Sequence, residues 1–298
     1  MINLALNNRM FIEPKRSMPS AWTGHVPFAA WLVDVLSPAL FVELGTYNGI
    51  SYMAICQAVR ESKLNTKCYA VDTWEGDMHA GRYEESVYIE LKQYNEENYH
   101  DFSILMKTTF DEACSHFEGN SIDLLHIDGL HTYEAVKHDF ETWRPKLSKK
   151  AVVLFHDTNV HEGNFGVWKY WGEISKSYPY LEFKHSYGLG VLLVGADMPK
   201  PLSELASVSA SNYWEPVERV FLTLANLIDQ RQKDEQLGVA VDLLRQKDEH
   251  LAVAGDLLRQ KDEHLRRAAE LIQERDVLLA RANSRRTLFD WLPWKKKE

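Results

Sequence analysis

Glu43, Asp72, Asp128 and Asp157 each stand at or near the end of a short apolar run, and His131 and His156 lie beside the last two. The first acid belongs to Phe41-Val-Glu-Leu-Gly-Thr-Tyr-Asn-Gly49. This segment reads as a buried strand, an acid at its end, a glycine turn and the start of a helix, the sequence form of a nucleotide-sized site at the carboxyl edge of a parallel sheet. Gly45 and Gly49 are four apart, whereas a dinucleotide fingerprint needs three glycines as G-x-G-x-x-G. Glu43 precedes the turn, where it can accept a hydrogen bond from a cationic amine. A ligand carrying an amino acid group and a nucleoside therefore suits the turn better than a pyrophosphate. The second strand ends in Val71-Asp72-Thr-Trp74; an acid there commonly binds ribose hydroxyls, and Trp74 can flank the base. The plain alternative for Asp72 is an acid that caps the following loop.

The next constellation is His126-Ile-Asp128-Gly-Leu-His131-Thr-Tyr133, followed by Phe155-His-Asp-Thr158 on a later strand. If the two strands are neighbours in a parallel sheet, Asp128 and Asp157 approach each other. Carboxylates that close repel unless something positive lies between them, and Mg²⁺ is the candidate cation. His156 is a further candidate ligand, or points back into the fold. The expected chemistry is a metal on Asp128 and Asp157 that grips a sugar diol, with His131 taking the hydroxyl proton as general base. Taken alone, His131 is more often a hydrogen-bonded structural residue. Thr132 is placed to cap a helix whose Ala135, Val136, Phe140 and Trp143 face inward.

The elements that must position these groups alternate. Strands are expected at Ala39–Leu44, Cys68–Asp72, Ser103–Lys107, Ile122–Ile127, Ala151–His156, Leu181–Ser186 and Leu189–Val194. Helical patterns include Ser51–Glu61, Ser86–Glu97, Thr132–Trp143 and Gly166–Ser177. Alternation of this kind predicts an α/β fold, a Rossmann-like doubly wound sheet of seven mostly parallel strands. Only Tyr187-Gly188 separates the last two strands, so they form a terminal antiparallel hairpin.

The expected organisation is an N-terminal segment, 1–24, whose Arg9, Phe11 and Trp22 either close over the site as a lid or simply pack. The α/β domain follows at 25–198, a linker and helix at 199–228, a coiled coil at 229–282 and a basic aromatic tail at 283–298. Residues 203–212 are small and polar, as a linker would be. Beyond them Arg-Gln-Lys-Asp-Glu recurs at 231, 245 and 259, a period of 14 residues. Leu237, Leu244, Leu251, Leu258, Leu265, Ile272 and Leu279 repeat every seven residues, as a coiled-coil seam does. Three residues before each lie Asp234, Val241, Asp248, Gly255, Asp262, Ala269 and Asp276, a much weaker second seam. At about 1.5 Å per residue, some fifty helical residues make a rod of roughly 70 Å. The tail, with Leu288, Phe289, Trp291, Leu292 and Trp294 among basic residues, looks like a short interfacial anchor, or else an aromatic cap or a disordered end.

Composition narrows the classes. With 45% hydrophobic and 11% aromatic residues the 298-residue chain can build a real core. A net charge of −9 argues against nucleic acid as a partner, because phosphate binding needs a clustered basic face. Cys56, Cys68 and Cys114 form no C-x-x-C pair and read as reduced thiols in a cytosolic compartment. The most apolar N-terminal stretch, 25–45, is broken by Pro27, Asp34 and Pro38, so it is not a membrane span, and no signal peptide is visible.

The glycine turn, Val71-Asp-Thr-Trp-Glu-Gly-Asp77, Ile122-Asp-Leu-Leu-His-Ile-Asp-Gly-Leu-His-Thr-Tyr133 and Val153-Leu-Phe-His-Asp157 together resemble the class I S-adenosylmethionine-dependent methyltransferases. They are most similar to the branch that methylates sugar hydroxyls. The resemblance spans about residues 25–195. It implies that Glu43 and the turn (Gly45, Thr46, Asn48, Gly49) hold the methionine part of S-adenosylmethionine. Asp72, with Thr73 and Trp74, would hold the nucleoside, and Thr109 and Phe110 would lie near the adenine. In metal-dependent relatives an acid matching Asp128 and an acidic pair matching His156-Asp157 hold the cation, with a histidine base matching His131. This chain departs from that pattern in having His156 where the pair has its first acid, which weakens a hard-cation site.

The C-terminal half resembles O-antigen chain terminators, which join a methyltransferase to a coiled coil and a membrane-binding tail. That resemblance implies an enzyme on the inner face of the bacterial inner membrane. It would cap a lipid-linked glycan at its non-reducing end, self-associate through the coiled coil, work beside a polysaccharide polymerase or glycosyltransferase, and use the rod as a length ruler. Two other readings stay open, an O-methyltransferase of a small glycosylated metabolite and a catalytically inactive coiled-coil scaffold.

Overall fold

The computed structural model describes residues 7–79, 81–209, 211 and 214–289, without the side chains of residues 284–289. The chain divides into two compact units, Met1–Gln232 and Lys233–Glu298.

In the first unit the elements run α1 (Val26–Leu36), β1 (Leu40–Leu44), α2 (Ile50–Glu61), β2 (Lys67–Asp72), the two-residue strands β3 (Gly76–Asp77) and β4 (Gly81–Arg82), and α3 (Glu85–Asn98). They continue with β5 (Ser103–Lys107), α4 (Phe110–Cys114), β6 (Ile122–Ile127), α5 (Tyr133–Trp143), β7 (Leu147–His156), α6 (Val167–Ile174), β8 (Tyr180–Phe183), β9 (Leu189–Leu193) and α7 (Lys200–Ser209). The last helix, α8 (Trp214–Phe289), begins in the first unit.

Seven strands form one sheet in the order β5-β2-β1-β6-β7-β9-β8. All neighbours are parallel except β9, which runs antiparallel to both β7 and β8. This is the expected Rossmann-like sheet with its terminal hairpin. The strand order reverses between β1 and β6, where an open α/β sheet leaves a crevice beyond its carboxyl ends.

Side chains alternate across the sheet, and this alternation decides what the chemical groups face. Phe41, Leu124, Val152 and Leu154 pack with α1, α2, α7 and the start of α8. Val42, Leu125, Val153 and Phe155 pack with α5 and α6 on the other face. Glu43, His126 and His156 are two residues along from Phe41, Leu124 and Leu154, so all three lie on the α1–α2 face, at the last or next-to-last position of their strands.

Several expectations change. Residues 203–209 are helix rather than linker, because Leu202, Leu205 and Val208 make an apolar stripe that is buried on the domain. Residues 7–24 do not line the cleft described below. Arg9 pairs with Asp34 at 3.6 Å, the Lys15 amide donates to Gln57, and Trp22 is buried. The three cysteines are free and buried.

Within the second unit the described residues are helical to Phe289. The seven stripe residues from Leu237 to Leu279 are 52–69% exposed. Among the described residues no helix is long and apolar enough to cross a membrane. Trp291, Leu292 and Trp294 of the tail lie outside the described residues.

Candidate active site

The glycine turn after β1 is shaped by close contact. Gly45 has φ +86° and donates its amide to Val71 O at 2.9 Å; a Cβ there would stand 2.1 Å from Asp128 O. Only glycine combines that backbone with that approach. Asp72 then ties the turn to β2. One of its oxygens accepts the Thr46 and Tyr47 amides at 2.8 and 2.9 Å, and the other accepts the Trp74 amide at 2.7 Å. Three acceptor sites are thus filled, leaving about one of a carboxylate's four for a ligand hydroxyl.

A cleft of about 250 Å³ opens at this point. Gly45, Tyr47, Asp72, Thr73, Thr109 and Phe110 line it, and it reaches Asp128, Gly129 and Leu130. The β3–β4 hairpin supplies Gly76 and Asp77, and Tyr83 follows it. The structure thus brings together the expected Gly45, Asp72, Thr73, Thr109, Phe110 and Asp128. Sequence reasoning missed Tyr47, Tyr83 and the hairpin. Tyr83 carried no signal, and two-residue strands leave no periodicity to read.

Other expected cofactor residues do not reach the cleft. Trp74 has φ +52°, which turns its ring inward against Tyr88, with Nε1 donating to Tyr47 O. It is core, not a flank for adenine. Glu43 is fully buried and its Oε2 is 2.7 Å from His126 Nδ1. They meet because Glu43 and His126 are register partners on β1 and β6. The Trp22 indole N–H can only donate, and it donates to His126 Nε2 at 3.2 Å, so the His126 proton sits on Nδ1 and faces Glu43. Burial raises the Glu43 pKa against the pull of His126. Glu43 therefore braces β1 against β6 rather than receiving an amine directly. Thr46 is buried with its hydroxyl oxygen unpartnered, Asn48 is buried and turns its side-chain oxygen to the Ile50 amide at 3.4 Å, and Gly49 precedes α2 with φ +80°.

Beyond the cleft lies a corner of four side chains. β6 and β7 are neighbours, as expected, and Asp128 and Asp157 follow their ends. His131 Nε2 is 2.9 Å from Asp157 Oδ2 and 3.6 Å from Asp128 Oδ1. His156 Nδ1 stands 3.3 Å from Asp128 Oδ1 and 3.5 Å from Asp157 Oδ2. Thr132 caps α5 by accepting the Ala135 amide, which fixes the loop that carries His131. The His131 ring stacks on Phe165 at 4.9 Å and on His79 at 5.5 Å, and His79 bonds Asn164 at 2.5 Å. Neither Phe165 nor His79 was readable from sequence, since nothing in it pairs the β3–β4 hairpin with the loop after β7.

The four groups hold each other charged. Burial opposes an imidazolium at His131, but hydrogen bonds to Asp128 and Asp157 outweigh it and lift the pKa to about 9. Burial opposes it at His156 too, yet the Asp128 charge and hydrogen bonds to both acids lift it to about 10. Burial likewise disfavours the Asp128 and Asp157 charges, and the two histidines override it and lower both pKa values.

Donor atoms of Asp128, His131 and Asp157 lie within 4.8 Å of one another, near enough to surround an ion. The set nevertheless does not suit Mg²⁺, which asks for near-octahedral oxygen ligands at about 2.0–2.1 Å. Both carboxylate oxygens already face two imidazole nitrogens. His156, a candidate metal ligand on sequence, is not among the converging donors; its Nδ1 contacts the acids and its buried Nε2 has no hydrogen-bond partner.

Residues 42–158 match a family model described as a methyltransferase domain. The chain is 48% identical over 206 residues to the uncharacterized protein y4gI of Sinorhizobium fredii, a match covering 69% of this chain and 22% of that protein. The chain thus spans about a fifth of the relative's length. A methyltransferase from Geobacter sulfurreducens superposes with a TM-score of 0.45 at 13% identity, covering 58% of this chain and 80% of the other. The O-methyltransferase TomG of Streptomyces achromogenes, involved in tomaymycin synthesis and solved with S-adenosylmethionine, superposes at 0.44 with 12% identity, over 61% and 83% of the two chains. Such loose likenesses bear on neither substrate nor mechanism; the region that carries the cleft and its acids is the one matched as a methyltransferase domain.

Proposed function

We propose that this chain is an S-adenosylmethionine-dependent O-methyltransferase. The observation that carries this reading is the Gly45 turn, clamped by Asp72 and opening into a cleft that ends at the His131 corner, inside the segment matched as a methyltransferase domain. The residues present fit the cofactor. Gly45 brings the backbone of the turn to the wall of the cleft, and Asp72 keeps an acceptor site for a hydroxyl there. When bound, S-adenosylmethionine supplies an electrophilic methyl on sulfur. Asp157 holds His131 by Nε2, and Nδ1 has no hydrogen-bond partner. Once it has lost its own proton, His131 takes the proton of the acceptor hydroxyl, and the two acids stabilise the imidazolium that results.

The acceptor we propose is a sugar hydroxyl of a bacterial cell-surface polysaccharide of O-antigen type, methylated at the non-reducing end so that chain growth stops. The exposed leucine stripe of the second unit supports this reading, since an enzyme of small soluble substrates has no need of it. In this view the stripe forms a coiled coil between copies, serves as a rod or ruler, and brings the enzyme to the inner face of the membrane beside the glycan-building machinery.

The test is transfer of labelled methyl from S-adenosylmethionine to isolated O-polysaccharide and, separately, to small glycosides. Label on the terminal sugar of the polymer is expected. Label on small glycosides alone moves the substrate to a metabolite, and label on neither contradicts the enzyme reading.

A further inference from the structure

We infer that His156 replaces the divalent cation of the acceptor corner, so that the two acids are bridged by an imidazole N–H and the site works without a metal. The inference rests on the methyltransferase reading only for its use; the site stands on its own geometry. His156 is the last residue of β7 and is 6% exposed. Its position on the α1–α2 face sends the ring toward Asp128, which extends the same face of β6. One nitrogen, Nδ1, thereby lies between two anionic oxygens at 3.3 and 3.5 Å. His131 Nε2 closes the other side of the same two oxygens. An ion added there would have to displace both rings from the two oxygens they already contact.

The remaining surroundings agree. His25 meets the His156 ring edge to face, with centroids 5.6 Å apart and planes at 80°. The two histidines of the corner divide the work. His131, with a side chain 17% exposed, exchanges the acceptor proton, while His156, at 7%, holds the acids together. His156 is thus a positioning residue, acting on the hydroxyl only through Asp128 and Asp157.

The experiment is calorimetric titration of the full-length protein with Mg²⁺ and then Mn²⁺, after saturation with S-adenosylhomocysteine. No saturable heat is expected for either ion, and a saturable heat for either would overturn the inference. His156→Asp restores an oxygen donor and removes the imidazole; we expect it to bind one of the ions at least about tenfold more tightly than the parent. A folded His156→Asp protein that binds neither ion would contradict the exchange. If the variant does not fold, the parent titration decides. Failure of S-adenosylhomocysteine to bind would strike at the methyltransferase reading, while the ion titration would still report on the corner.

Discussion

Leu124 and Leu251 are the same side chain in opposite circumstances. Leu124 is fully buried on β6, whereas Leu251 is 69% exposed in the second unit. In the first unit each apolar period meets a partner from its own chain, so the pattern is used up in folding. In the second unit the seven-residue period is at least as regular, yet its described residues are exposed. Regular patterning therefore reports that burial is needed, and only the surrounding topology reports whether the chain itself supplies the burial.

The difference can be broken first in the domain. Phe140 is fully buried against Phe155 and Tyr170, so Phe140→Ala should cost about 3–5 kcal/mol in denaturant unfolding. A chemical change in the same unit should separate from a structural one. His131→Ala should lower methyl transfer by about 10²–10⁴-fold while leaving the cofactor titration intact. Full activity in that variant would remove His131 as the base.

The corner also sets a pH signature. His131 is lifted from 6.5 to about 9, so its stabilising contribution is complete below about pH 6.5 and fades as pH rises through 9. His156 follows the same direction, fading toward about 10. Asp128 and Asp157 are lowered, so their contribution is present above about pH 4 and is lost as pH falls further. Unfolding free energy from this corner should peak between about pH 4 and 6.5. Methyl transfer should instead rise with pH toward 9, because a base must lose its proton before it can accept one. A rate that falls between pH 7 and 9 in a folded protein would contradict that assignment.

The smallest effect belongs to the second unit. Leu251→Asp with Leu258→Asp should shift the unfolding free energy of the first unit by less than about 0.5 kcal/mol. The same change should abolish self-association in sedimentation experiments. A loss as large as that of Phe140→Ala would mean that the stripe is buried within one chain.

Much of this fold was legible because its strands are short apolar runs, several of them followed by a glycine or an acid. Asp128 and Asp157 could be brought together on sequence grounds alone, since sequential strands of a parallel sheet so often lie side by side. What stayed hidden depended on three-dimensional partners. The inward turn of Trp74 follows from a positive φ and the Asp72 bond to its amide. The pairing of Glu43 with His126 follows from strand register, which only the sheet order reveals. Helix α7 was hidden because its small residues resemble a linker until Leu202, Leu205 and Val208 are seen to face one core. The stacking of His79 on His131 required a hairpin too short to leave a pattern.

The central claim is that the Gly45–Asp72 cleft binds S-adenosylmethionine, and titration calorimetry of the full-length protein tests it most directly. The account predicts saturable binding with a dissociation constant on the order of micromolar, weakened about tenfold or more by Asp72→Asn. No saturable heat from the folded protein would contradict it.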